Sequence, residues 1–247
     1  MALLAGKTAI ITGGARGLGS AIATAMAAEG AHAVVVDRNS EAASELVAQI
    51  KASGGTATSE ILDIGDREVV KAFGERMIAQ FERIDVLVNN AGIAPRIRPQ
   101  DPDQMQKWDQ VVSINLTAQW DVTVALLPGL KHPGASVIFL SSIAGFSAPR
   151  SSAAYGATKA AIRSLVQYFA RDLGPTGGRA NGLAPGRMKS DLMTVTGEAG
   201  DKFIQRLPLG RVGETEEIVG PAVFLASNMS SYVTGVTIPV DGGYLAL

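Results

Sequence analysis

The chain has 247 residues, of which 47% are hydrophobic and 18% charged, a composition that suits a compact globular protein rather than a disordered one. Its 22 basic and 23 acidic side chains leave a net charge of −1, which removes any electrostatic case for nucleic acid or an anionic membrane as partner. There is no cysteine, so disulfides, thiolate chemistry and a tight His/Cys metal cluster are excluded, and no metal is expected.

Lys7–Thr12 is a short β-branched run, as expected of a strand buried on both faces. It feeds into a glycine turn, Gly13–Gly19, and an Ala-rich stretch, Ser20–Glu29, that propensity makes helical. Ala31–Asp37 is a second strand that ends in an acid about twenty residues beyond the glycines. Strand, glycine turn, helix and acid-tipped strand describe the first half of a nucleotide-binding βαβ unit. Ser40–Lys51 is an amphipathic helix, Thr56–Ile64 a third strand closing on Asp63, and Asp66–Phe81 another helix. Asp85–Val88 is a fourth strand that runs into Asn89-Asn90-Ala91-Gly92. After a loop at Ile93–Pro102, a long helical region runs from about Asp103 to Leu130.

Ser136–Leu140 is a fifth strand ending at the pair Ser141-Ser142, and Ala153–Leu173 is a helix. A sixth strand near Arg179–Ala184 rests on the surrounding alternation, because its residues are poor β-formers. Pro185-Gly186 breaks the chain, and Arg187–Leu209 has no clean periodicity. Glu214–Ala226 reads as a helix and Val236–Val240 as a last strand. The opening residues are too short an apolar run for a signal peptide and no later stretch offers a membrane span, so a cytoplasmic location is expected by default.

This alternation implies one α/β domain over residues 1–247, a doubly wound parallel sheet of about seven strands with helices on both faces. Loops at the carboxyl ends of such strands share one edge, so the glycine turn, Asp37, Asp63, Asn90, Ser142 and Pro185-Gly186 converge on one crevice. Taken singly, each has a plain structural role, as glycines make turns and an Asp after a strand caps a helix.

Tyr155 and Lys159 lie four residues apart in a helical pattern, one turn from each other on one face. A tyrosine hydroxyl is normally a poor base, with a pKa of about 10. A nearby ammonium favours the phenolate and brings proton transfer within reach of neutral pH. A serine hydroxyl from the neighbouring strand end is placed to hold the reacting oxygen. The plain alternative is a surface Tyr beside a surface Lys.

Together these motifs resemble those of the short-chain dehydrogenases/reductases over essentially the whole chain: Thr12, Gly13, Gly17 and Gly19; Asn89–Gly92; Ser142 with Tyr155 and Lys159; and Pro185-Gly186. The ending VTGVTIPVDGG is similar to the branch that contains 3-oxoacyl-(acyl carrier protein) reductases and many secondary-alcohol dehydrogenases. The resemblance implies a Rossmann fold, with about residues 1–95 mainly binding cofactor and about 96–247 carrying catalysis. By it, Gly13, Arg16, Gly17, Leu18 and Gly19 bind the pyrophosphate region, Asp37 the adenosine ribose, Asp63 and Ile64 the adenine, and Asn90 with Gly92 the adjacent ribose. Pro185, Gly186, Met188 and Ser190 flank the nicotinamide, and the Met188 backbone holds its amide. Tyr155 is the acid/base, Lys159 lowers the Tyr155 pKa and binds the nicotinamide ribose, and Ser142, preferred to Ser141 for its spacing to Tyr155, holds the substrate oxygen. Asn115 kinks its helix and supports a proton relay through water to Lys159.

Asp37 repels a 2′-phosphate and so favours NAD over NADP, while Arg16 and Arg38 pull the other way. The expected substrate is a small alcohol or ketone, in a pocket formed by Ile93–Arg98, Ile143–Phe146, Arg150 and a lid near 187–209. Arg96, Arg98, Arg150 and Arg187 have the chemistry to recognise an acid or phosphate, although solvated loop charge is the plainer reading. Two enzyme readings follow, an NAD-linked secondary-alcohol dehydrogenase or carbonyl reductase, and an NADPH-dependent 3-oxoacyl-(acyl carrier protein) reductase. A third, a silent nucleotide-binding sensor or scaffold, fits poorly with a chain that keeps Ser, Tyr and Lys. Relatives imply a homotetramer.

Overall fold

The computed structural model describes residues 2–147, 151–189 and 202–246; Arg150, Ser190 and most of the expected lid lie outside the described residues. In chain order the elements are β1 (Thr8–Thr12), α1 (Gly17–Ala28), β2 (His32–Asp37), α2 (Ser40–Ala52), β3 (Thr56–Ile61), α3 (Arg67–Phe81) and β4 (Val86–Asn89). They continue as α4 (Gln104–Val112), α5 (Ala118–Leu130), β5 (Ser136–Leu140), α6 (Ala153–Leu173), β6 (Arg179–Pro185), α7 (Val219–Ala226) and β7 (Thr237–Val240).

The seven strands form one parallel sheet in the order β3-β2-β1-β4-β5-β6-β7. This is the doubly wound Rossmann order, whose direction of winding reverses between β1 and β4 and opens a crevice there. Side chains alternate faces along each strand, so neighbouring residues enter different cores. Ile11, Val35, Val88 and Ile138 pack with Ile22 and Met26 of α1, Leu46 of α2 and Leu225 of α7. Ile10, Val34, Leu87 and Phe139 pack on the other face with Phe73 of α3, Leu126 of α5 and Phe169 of α6.

Three sequence expectations shift in ways that bear on the site. Helix α1 begins at Gly17 rather than Ser20, which brings its N-terminus into the glycine turn. Strand β3 stops at Ile61, leaving Asp63 in a turn where its carboxylate accepts the Gly65 N–H at 2.9 Å. The long helix expected from 103 to 130 is broken by a π turn over Ser113–Thr117, centred on Asn115. Such a turn inserts an extra residue into the helical ladder and is common at functional sites.

Strand β6 forms despite its poor β-formers because tertiary contacts override propensity. A Cβ on Gly182 would stand 2.6 Å from Thr237 Oγ1, so only glycine lets β7 pair this closely. Arg179 is buried and donates to the Leu225 and Ser227 carbonyls, capping the C-terminus of α7 with positive charge.

Candidate active site

The glycine turn is shaped by contacts that admit no side chain. A Cβ on Gly19 would lie 2.1 Å from the Gly13 carbonyl and 2.6 Å from Asn90 Nδ2. Gly17 differs: nothing stands within 4 Å of its Cβ position, but its φ of +55° is a left-handed conformation that favours glycine. Asn90 Nδ2 donates to the carbonyls of Thr12 and Gly13 at 3.0 and 2.9 Å. Thr12 Oγ1 accepts from the N–H groups of Asn90 and Ala91, locking the end of β1 to the end of β4. Asp37 closes the other side, accepting the N–H of Ala15 at 3.1 Å and of Asn39 at 3.0 Å.

Above this turn lies a cleft of about 1070 Å³. Gly13, Arg16, Gly17, Leu18, Asp37, Arg38, Asp63, Ile64, Asn90, Gly92, Ile93 and Tyr155 line it. Helix α1 meets the cleft with no side-chain cap on its N-terminal N–H groups and no acid in its first turn. Those free donors, with the positive end of the helix, suit an anionic pyrophosphate. A dinucleotide in this cleft would meet Gly17–Leu18 with its phosphates, Asp37 and Asp63 with one end and Tyr155 with the other.

Asn115 sits fully buried beneath the cleft. Its Oδ1 accepts the Ile93 N–H and its Nδ2 donates to the Ile93 carbonyl, both at 2.8 Å. A Cβ on Gly92 would stand 3.2 Å from Asn115 Oδ1 and 3.7 Å from Lys159 Nζ, so Gly92 separates the two. Gln119, one helical turn beyond Asn115, was not singled out from sequence. Its Nε2 donates to the Ala91 carbonyl at 3.0 Å, and Thr123 links its backbone to Asn89. Its position four residues past Asn115, beneath the Asn-Asn-Ala-Gly turn, was the available signal.

Ser141 and Ser142 divide cleanly. Ser141 is buried just past β5, with its N–H still bonded to the Leu183 carbonyl and its hydroxyl donated to the Lys159 carbonyl at 2.7 Å. Ser142 begins a 3-10 turn, accepts the Ala144 N–H at 3.1 Å, and is the side chain that acts on the Tyr155 hydroxyl, favouring its ionised form. Gly145 lets this turn pack on α6, because a Cβ there would lie 2.5 Å from the Lys159 carbonyl.

Burial raises the Tyr155 pKa above its ordinary 10.0, and Ser142 pulls it back only in part. Lys159 is not among the groups that shift it. Lys159 Nζ lies 5.7 Å from the centre of the Tyr155 ring and donates to the Leu140 carbonyl at 2.6 Å instead. Buried without a carboxylate partner among the described residues, Lys159 is itself lowered to about 8 by desolvation.

On the far side, Pro185 ends β6 and Gly186 packs where a Cβ would lie 2.7 Å from Asp241 Cα. None of Pro185, Gly186 and Met188 lines the cleft above the glycine turn. Met188 pairs with Gly213 in a parallel bridge whose bonds are made by the Arg187 carbonyl and the Lys189 N–H. That pattern turns the Met188 N–H and carbonyl to the opposite side, away from Gly213.

Comparison with known proteins finds relatives along nearly the whole chain. A family model described as enoyl-(acyl carrier protein) reductase matches residues 13–245. Trans-4-hydroxycyclohexanecarboxylate dehydrogenase of Sinomonas cyclohexanicum is 37% identical over 249 residues, covering 98% of this chain and 94% of that protein. 3-oxoacyl-(acyl-carrier-protein) reductase of Thermotoga maritima is 35% identical over 245 residues, covering 97% of this chain and 98% of that one. A crystal structure of a Beutenbergia cavernae protein, assigned as an NAD(P)-dependent gluconate 5-dehydrogenase and holding NADP at low occupancy, is 36% identical with a TM-score of 0.92. It covers 99% of this chain and 98% of that chain.

Proposed function

Since the chain belongs to the short-chain dehydrogenase/reductase family, oxidoreductases that use NAD or NADP, we propose that it interconverts a secondary alcohol and its ketone with NAD(H). The observation that carries this reading is Tyr155 on the cleft wall, with the Ser142 side chain acting on its hydroxyl and Lys159 one helical turn away.

A nicotinamide, when bound, supplies the carbon that takes hydride from the carbinol carbon. Ser142 holds the substrate oxygen and Tyr155 takes its proton in oxidation, returning it in reduction. Lys159 orients the nicotinamide ribose and supplies positive charge beside the Tyr155 ring. Asn115, expected among the catalytic residues, acts as a positioning residue by placing Ile93 and the turn above Lys159. The backbone of Met188 presents one donor and one acceptor, as a carboxamide requires, with Pro185 and Gly186 just before it; the expected contact by Ser190 lies outside the described residues. Asp63 and Ile64 flank the adenine, and Asn90 and Gly92 approach the ribose.

NAD is preferred because Asp37 brings negative charge to the end of the cleft where a 2′-phosphate would sit. Its two oxygens already accept backbone N–H groups, so it is held in place. Arg16 and Arg38, which are in no ion pair among the described residues, favour NADP and support a second reading. That reading is an NADPH-dependent 3-oxoacyl-(acyl carrier protein) reductase, and it is supported by similarity to the Thermotoga maritima enzyme. The alcohol reading is supported by similarity to the Sinomonas dehydrogenase. A panel of ketones, secondary alcohols and 3-oxoacyl thioesters, each assayed with both cofactors, tests the choice. Faster turnover of thioesters with NADPH than of any alcohol with NAD selects the second reading.

The protomer is proposed to assemble as a homotetramer. Helices α4, α5 and α6 leave the apolar side chains of Met105, Trp108, Val124 and Tyr168 exposed, and in this proposal a second copy covers them. Among the described residues, no helix is long and apolar enough to cross a membrane.

A further inference from the structure

We propose that Arg187 recognises a carboxylate on the substrate, so that the alcohol or ketone turned over is a hydroxy or oxo acid. The proposal rests on the oxidoreductase reading and names the substrate class of that same site.

Of the four arginines that the sequence offers, the structure separates one. Arg96 and Arg98 are exposed on the loop after β4, and Arg150 lies outside the described residues. Arg187 is half-buried, and its guanidinium lies 5.2 Å from the centre of the Phe203 ring. Phe203 in turn stacks on Tyr244 at 5.1 Å, with 21° between the planes. Neither ring is loosely placed, because both pack with Ile143 and Leu207 in a small apolar cluster of their own.

Ile143 is the residue after Ser142, in the turn that Ser142 caps. The stack is therefore fastened to the catalytic turn itself. The sheet register agrees: Leu140 pairs with Leu183, so extending both strands brings Pro185 level with Ser142 and Arg187 two residues beyond. Arg187 thus follows β6, the strand on the side of β5 away from β1 and the glycine turn, where the substrate rather than the cofactor's phosphates lies.

The chemistry of the contact matters more than its position. A guanidinium held by an ion pair has already spent its forked donors, but Arg187 has no carboxylate partner among the described residues. The Phe203 ring attracts the cation without occupying its N–H groups. A planar fork with its donors unspent matches a carboxylate, which it can bind by two parallel hydrogen bonds. In the reaction this carboxylate is a spectator: the carbinol C–H gives hydride to the cofactor, the hydroxyl gives its proton to Tyr155, and the acid group remains ionised.

The test measures kcat/KM with NAD and with NADP for 3-hydroxybutyrate, 4-hydroxypentanoate and 5-hydroxyhexanoate and for their primary amides. The chain-length series finds the spacing between the acid and the carbinol, and the amides keep shape while removing charge. The expected result is a preference for the best acid over its amide of about 30-fold, carried mostly by KM. In Arg187→Met the acid-to-amide ratio should collapse to about one, and Arg187→Lys should restore part of it by charge without the fork. Pentanoate should inhibit the wild-type protein and not Arg187→Met. Amides turned over as well as acids, or a ratio unchanged in Arg187→Met, would overturn the proposal while leaving the hydride-transfer reading intact. Absence of turnover for all six compounds and for every neutral alcohol and ketone with either cofactor would overturn the reading beneath it.

Discussion

Asn115 grips Ile93 at both ends of its amide, accepting the N–H and donating to the carbonyl at 2.8 Å each. This pair fixes where the chain goes after Gly92, and it places the cleft floor against Lys159. Asn115→Ala removes two buried hydrogen bonds and leaves the Ile93 groups unpaired, at a cost of about 2–3 kcal/mol. The variant should unfold at a lower temperature and lose about a hundredfold in kcat, while Asn115→Asp, which keeps the acceptor, should fall between. Thermal melts and steady-state rates of the two variants check this.

Lys159 makes stability depend on pH with a definite sign. Its pKa falls from 10.5 unfolded to about 8 folded, so below pH 8 both states carry the proton and the folded state bears the cost of burying it. Between pH 8 and 10.5 the unfolded chain binds more protons, and stability contributed by this group rises with pH. Lys159→Met removes the buried charge and, after the Leu140 carbonyl loses its donor, should gain about 2 kcal/mol at pH 7. The gain should shrink toward pH 10 in denaturant titrations, even though activity is lost.

Tyr155 behaves in the opposite sense. Burial holds its hydroxyl protonated past pH 10 in the free protein. The ultraviolet difference spectrum between wild type and Tyr155→Phe isolates this one of four tyrosines. Its titration should lie above pH 10 alone and move down when NAD is added, since a cationic ring nearby stabilises the phenolate. An unchanged titration would mean that another group takes the proton.

Two glycines one residue apart from Leu18 fail for different reasons. Gly19→Ala drives a Cβ into the Gly13 carbonyl at 2.1 Å, so the turn must open and cofactor binding should disappear. Gly17→Ala meets no atom within 4 Å and suffers only its positive φ, a cost of about 1 kcal/mol. Calorimetric titration with NAD should therefore retain measurable affinity for the Gly17 variant alone.

Most of the scaffold was readable from residue pattern because β-branched runs and helical periodicity agree with the sheet they build. Val34-Val35-Val36 is a strand by any local measure, and Gly13–Gly19 after a strand leads directly to a nucleotide cleft. Strand β6 was readable only from alternation, since Gly182 serves close approach to Thr237 and Arg179 serves a helix end, roles that depend on β7 and α7. The π turn at Asn115 was invisible to propensity; it depends on a bond to Ile93 twenty-two residues earlier. The setting of the Lys159 ammonium was unreadable for a related reason. A spacing of four places Lys159 on the same face as Tyr155, but the Leu140 carbonyl, supplied by a neighbouring strand, decides where its ammonium points.

The most direct measurement compares wild type with Tyr155→Phe in NAD-dependent oxidation of secondary alcohols, with the NAD Kd measured beside it. Removing one hydroxyl should lower kcat by about a thousandfold, the scale of lost general acid/base catalysis, while the NAD Kd changes less than about threefold. Equal turnover by the two proteins on a good substrate would contradict the assignment of Tyr155 and the site built around it.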